Sequence, residues 1–328
     1  MNPTPSPSST LRPLGLGEIL DRAVNLSVKY VTTFALIYAA FAVPMAILQY
    51  LGSGDQTRSL TALSELLRAQ AAGGKAASPA SLSSLLSNYP VLTPALGLLW
   101  AAFFFIYPLP KAALIVATSS AYLRGAADFG QAYRTALRRW LPLIALNVLY
   151  VLCASVLYVV FVFAGVVIVL ALSAVTATMH ALGVALSVAV LIALVVFAFL
   201  FALVAVLAYE VSTFTCVLED ASFLGAFGRG VERVFRGAGL RRSLVVGLAY
   251  IAVVIAITVV AAMGAVVLFS LLHSPVVDAI FSTLLSLATA AFVTAFVGIF
   301  YFDLRVRGEG FDLQLAAGTM EPATFTST

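Results

Sequence analysis

Three charged residues stand where the surrounding chain is apolar: Lys111, Glu210 and Asp303. Acids and bases inside a hydrophobic span can relay protons, hold a solute or neutralise each other. Lys111 precedes Arg124, and Glu210 precedes Glu219, by about 13–20 Å of helix. Both therefore belong below one set of headgroups at similar depth, which predicts a pair. Asp303 closes the last apolar run and is the rival partner for Lys111, in a place where water can solvate it. Three charges gathered at one end do not make a continuous path across a membrane, so a structural ion pair or snorkelling is the simpler expectation.

Other chemistry is sparse. The two histidines, His180 and His273, fall in short turns and could pair as a pH sensor or metal site, but solvated turn histidines explain them as well. The two cysteines, Cys153 and Cys216, lie in or near apolar runs without metal spacing and read as buried free thiols. The chain has no Walker loop, GxSxG or HExxH. These residues predict no enzyme, no metal site and no cofactor.

What must position them is a membrane bundle. Of 328 residues 62% are hydrophobic and only 10% charged, against about 25% charged in soluble domains. Residues 140–209 and 243–277 carry no charge at all. One helix through 140–209 would be about 105 Å long, so a turn is expected near Ser173–Gly183. The predicted fold is all-α, a polytopic bundle of six transmembrane helices. The spans are Val31–Leu51 with a kink at Pro44, a segment within Val91–Leu123 interrupted by Pro108 and Pro110, Leu141–Leu170, Gly183 past Tyr209, Leu244–Leu272 and Ala279–Phe302. Ala198 and Ala202, Ala261 and Ala265, and Ala291 and Ala295 predict close helix packing.

Lys and Arg set the orientation. Arg12, Arg22 and Lys29, then Arg124, Arg134, Arg138 and Arg139, then Arg229, Arg233, Arg236, Arg241 and Arg242, then Arg305 and Arg307 share one side of a six-span chain. The other side keeps Arg58, Arg68 and Lys75. Both termini are thus expected to be cytoplasmic in a cell membrane. A disordered Pro/Ser/Thr-rich tail at 1–13 precedes one membrane domain over 14–304. Residues 52–90 form an extracytoplasmic loop with a surface helix at Ser59–Ala72, and 305–328 form a cytoplasmic tail. The net charge of +4 is spread between hydrophobic runs, so nucleic acid is not an expected partner.

Three cytoplasmic segments look alike. With Leu16, Phe129 and Leu224 in register, the apolar face holds Ile19, Leu20, Ala23 and Val24 in the first, and Ala132, Tyr133, Ala136 and Leu137 in the second. The third gives Phe227, Gly228, Val231 and Glu232, a poorer match. A glycine follows each anchor: Gly17, Gly130 and Gly225. Such spacing describes an interfacial helix, with Arg134, Arg138, Arg229 and Arg233 against anionic headgroups of the bilayer. The pattern predicts three parallel repeats of interfacial helix and hairpin.

The opening Leu11-Arg12-Pro13-Leu14-Gly15-Leu16-Gly17-Glu18-Ile19-Leu20-Asp21-Arg22-Ala23 and the ending Tyr301-Phe302-Asp303-Leu304-Arg305-Val306-Arg307-Gly308-Glu309-Gly310-Phe311-Asp312-Leu313 resemble the bacterial membrane-domain family found fused to some glycerophosphoryl diester phosphodiesterases. Gly130-Gln131-Ala132-Tyr133-Arg134 and Leu218-Glu219-Asp220 are similar to its internal segments; Gly308 departs from it, standing where a basic residue is expected. The resemblance implies a membrane module. The catalytic barrel would need about 250 further residues and a His-Arg pair, which the chain lacks. Two functions remain open: a non-catalytic scaffold, assembly helper or lipid-organising module, and a transporter or channel for a small or lipid-derived solute.

Overall fold

The computed structural model describes residues 12–47, 101, 104–236, 238–272 and 274–314. All regular structure among them is helical. Among the described residues four helices are long and apolar enough to cross a membrane, or five if a bent pair counts as one span. The chain is a multi-pass helical membrane protein. Residues 1–11, the 52–90 loop with Ser59–Ala72, and His273 lie outside the described residues.

Helix α1, Leu16–Lys29, starts at Gly15, whose N–H donates to Glu18 Oε2 at 2.9 Å. That return bond satisfies one of the donors a helix start leaves open. Its apolar face seats Ile19 and Ala23 at 0% exposure, mostly against the last helix. Complete burial of an isoleucine stabilises by about 1.5–3 kcal/mol. At Tyr30 the chain bends by 78° into α2, Val31–Ile47, which continues through Pro44. So α1 lies across the direction of α2.

Helix α3, Pro108–Arg124, begins on Pro108, where a missing N–H costs nothing, and ends at Gly125 with φ +71°. The prolines therefore open this helix, after a turn at 106–107, and do not break it. Helix α4, Phe129–Leu218, is the surprise of the fold. Its backbone stays helical through 173–183, where the sequence predicts a turn. Yet Tyr150 and Tyr209 have ring centroids 4.9 Å apart, and Phe161 and Phe197 6.1 Å. A straight helix would hold Tyr150 and Tyr209 about 90 Å apart. The element folds back as two antiparallel arms, and both contact pairs place the reversal near residue 180.

Helix α5, Phe223–Phe235, is short and amphipathic, and packs on α4. Helices α6, Ala238–Leu272, and α7, Pro275–Glu309, form a second hairpin. Helix α7 runs past residue 304 to Gly310, φ +62°, so residues 305–309 belong to the helix and not to a tail.

Packing is polarised. At the arginine-bearing end Phe34, Leu207, Phe214, Phe296, Phe300 and Tyr301 are fully buried. Further along, Tyr158, Phe163, Phe197, Val260 and Val266 are exposed. An apolar surface of that extent is stable in hydrocarbon and not in water. Of the alanine pairs only Ala291 and Ala295 are both buried; Ala202 is exposed.

The second amphipathic segment is not a separate helix. Phe129–Leu137 forms the first turns of α4 and continues into its span. The third segment is shifted by one residue from the sequence register. Its buried face holds Ala226, Gly230 and Val234, while Leu224 is 59% exposed. Anchoring it on Phe223 aligns Ile19 and Ala23 with Ala132 and Ala136 and with Ala226 and Gly230, all buried. The residues before the anchors, Gly15, Asp128 and Ser222, are the three N-caps. Asp128 accepts from Gln131 N at 2.7 Å and Ser222 from Gly225 N at 3.2 Å.

Candidate functional site

The sequence-predicted charges separate into two centres. Lys111, on the first turn of α3, donates to Glu210 Oε1 at 2.8 Å, from the second arm of α4. Both side chains are nearly buried, at 10% and 15% exposure. The lysine also stands 4.4 Å over the Tyr209 ring, a cation–π contact. Tyr209 O–H donates to Asn147 at 3.3 Å, and Tyr150 shares a hydrogen bond with Ser212 at 2.9 Å. Acid and base here spend their charge on each other, in a polar cage contributed by α3 and both arms of α4.

Asp303 is not the partner of Lys111 and is not solvated. Its side chain is 0% exposed. It accepts from Leu14 N at 2.8 Å, from Arg242 Nε at 3.3 Å and from Arg307 Nε at 3.0 Å. Arg242 and Arg307 reach on to the Leu14 carbonyl at 2.7 and 2.9 Å. One backbone unit at the head of α1 is thus held by an acid and two bases from α6 and α7. The span-end position suggests water access, but α1 lies over it and excludes water.

A second network surrounds Glu219, a residue the sequence does not mark as a site. Arg233 meets it with two nitrogens at 2.6 and 3.0 Å, a fork that fits a carboxylate. Tyr301 O–H donates to it at 2.5 Å and Arg229 at 3.1 Å. Arg233 also reaches Glu309 at 2.6 Å, and Arg305 donates to Glu309 at 2.9 Å while lying 4.0 Å over Phe311. Burial raises the Glu219 carboxyl, but the Arg233 and Tyr301 hydrogen bonds win and hold it below the usual carboxylate range. Arg233 is raised by the same contact against the desolvation that lowers it.

The basic residues of the amphipathic segments divide accordingly. Arg134 and Arg138 are exposed, as headgroup contact requires. Arg229 is half exposed, at 54%. Arg233, at 11%, does not face headgroups, because Glu219 and Glu309 hold it inward. His180 sits on the helical backbone of α4 near the reversal. No group of three metal-ligating residues occurs among the described residues.

Beside this network opens a cleft of about 870 Å³, lined by α5, the start of α6 and the end of α7. Six arginines face three glutamates around it. The signal for it in the sequence is the run of bases after Leu218, which orientation alone otherwise explains.

No family model, curated protein or solved structure matches the chain.

Proposed function

We infer that the chain is a non-catalytic six-span membrane module, both termini cytoplasmic, that organises anionic lipids of the cytoplasmic leaflet. One observation carries this reading. The same device occurs at three points of the arginine-bearing end: an N-cap at Gly15, Asp128 and Ser222, then buried small or apolar residues three and seven positions after Leu16, Phe129 and Phe223. Three such starts support three parallel repeats. Two of them are separate short helices and the second opens α4; Arg134 and Arg138 are exposed on it, where each base near an anionic surface contributes about 1 kcal/mol. The mutual neutralisation of Lys111 and Glu210 supports this reading over transport, since neither charge is left for a solute. The residues at 11–23 and 301–313 support placing the chain beside the membrane domains they resemble.

The test is the lipid that accompanies the purified protein. Wild type is expected to retain anionic over zwitterionic lipid, and Arg134→Gln with Arg138→Gln to lose that excess at unchanged thermal stability. Equal lipid composition in both proteins sinks the lipid-organising role. Reporter fusions after Leu170 and Leu272 are expected to read extracytoplasmic, and a cytoplasmic signal at Leu170 removes the six-span scheme.

A further inference from the structure

We propose that the arginine cleft between α5, α6 and α7 is a binding site for a ligand bearing a terminal phosphate. The proposal rests on the cytoplasmic placement of this end but not on the lipid-organising role.

The lining divides into a spent floor and an open rim. Arg233, Arg242 and Arg305 form the floor, at 11%, 21% and 15% exposure, and each is held by Glu219, Asp303 or Glu309. Arg229, Arg236 and Arg307 form the rim, at 54%, 80% and 43%. Each rim guanidinium keeps unused donors. Arg229 spends one nitrogen on Glu219, and Arg236 one on Glu232. Arg307 spends Nε on Asp303 and one Nη on the Leu14 carbonyl. A guanidinium has five N–H groups, so all three can take a further anion without releasing the contacts that hold the fold.

The geometry favours phosphate. Arg229 stands on α5 and Arg236 caps its C-terminal end two turns further on, about 10.5 Å of helical rise, a gap two arginine side chains can close. Arg307 reaches the same cleft from α7. Donors arriving from two helices suit the three terminal oxygens of a phosphate monoester, which point in different directions; a carboxylate offers two in one plane. The volume of about 870 Å³ exceeds what phosphate alone occupies and fits a ligand of headgroup size. Gly308 lines the wall, and a Cβ there would meet nothing within 4 Å. Without a side chain, Gly308 leaves that part of the wall open.

Full-length protein in phosphatidylcholine nanodiscs provides the test. A short-chain phosphatidic acid and inorganic phosphate are titrated separately, with binding read by calorimetry and thermal shift. Phosphate-bearing ligand is expected to bind saturably. Arg229→Gln with Arg236→Gln, and separately Gly308→Trp, are expected to weaken binding at least about tenfold. Gly308→Trp fills open space, so its ligand-free melting temperature should match wild type. Arg134→Gln with Arg138→Gln should leave the cleft's affinity unchanged, which separates this site from the exposed bases at the start of α4. Comparable binding of inorganic phosphate identifies a soluble phosphorylated ligand; binding of the lipid alone identifies a headgroup presented by the membrane. Equal affinity in wild type and both cleft variants, or no binding of either probe to wild type, overturns the proposal.

Discussion

Lys111 Nζ lies 2.8 Å from Glu210 Oε1, between helices whose sequence positions differ by 99 residues. A lysine and a glutamate so placed are one unit: each is tolerable in a low-dielectric bundle because the other is there. Removing one member strands a charge, whereas removing both leaves no buried charge to compensate. Glu210→Gln alone is therefore expected to destabilise by about 3–5 kcal/mol, and Lys111→Met with Glu210→Gln to restore most of that loss. Thermal unfolding in detergent measures the cycle. Additive losses would show that the two do not act as a pair and would return Glu210 to the list of functional acids.

Gly230 sets how closely α5 approaches α4. A Cβ at this position would overlap the Ser212 side chain and come within 2.7 Å of Ser212 Cα. Since the obstacle includes backbone, shrinking the neighbour gives no relief. Gly230→Ala is expected to destabilise by about 1–3 kcal/mol, and adding Ser212→Ala to recover little of it. Gly308→Ala, in open space, is the matched control. Equal melting temperatures for Gly230→Ala and wild type would mean that α5 does not seat on α4 this closely.

How much of this is legible in the sequence depends on what each feature requires. Depth in a bilayer can be read along the chain, because helical rise converts residue number into ångströms; that brings Lys111 and Glu210 to one level. The amphipathic face of α1 is legible in the same way, from 3.6 spacing. The third segment misleads because Gly225 invites Leu224 as the anchor, whereas Ser222 as the N-cap puts Phe223 there. Cap chemistry is the better ruler, since it fixes where a helix begins. Asp303 is not legible: its partner Leu14 is 289 residues away. Nothing local in the sequence shows that α1 lies over the end of α7 and keeps water from that carboxylate.

Glu219 gives a pH dependence with a definite sign. Its folded-state carboxyl is held below the ordinary glutamate value of 4.5, chiefly by Arg233 and Tyr301 acting against burial. Below that value the unfolded chain binds the proton more readily than the folded one. The contribution to stability is present above about pH 4.5 and is lost as pH falls through the depressed folded value. Glu219→Gln removes the titration and strands Arg233, so it lowers stability near neutrality. The gap to wild type is expected to narrow on acidification below pH 4.5. A gap that stays constant from pH 7 to pH 3 in melting curves, roughly spanning the carboxylate range, contradicts the assignment.

The head of α1 is held by electrostatics as much as by packing, and the two can be separated. Asp303 accepts from Leu14 N, while Arg242 and Arg307 each bridge from Asp303 to the Leu14 carbonyl. Asp303→Asn keeps an acceptor for the Leu14 N–H but removes the charge that aligns both guanidiniums. Breaking a buried ionic network by one partner costs about 3–5 kcal/mol. Two guanidiniums share the loss here and Arg307 is part exposed, at 43%, so the effect should fall toward the lower figure. The loss should be local. The spans keep their own packing, with Phe296 and Phe300 fully buried, so α1 is expected to open without the spans unfolding. Amide hydrogen exchange across residues 14–24 should quicken at least about tenfold, a local opening easier by roughly 1.4 kcal/mol. Exchange across 290–300, deep in α7, should stay unchanged. Uniform acceleration across both segments would mean that Asp303 stabilises the whole bundle. Unchanged exchange at 14–24 would mean that Ile19 and Ala23 alone anchor α1, with the ionic clasp adding nothing to its hold.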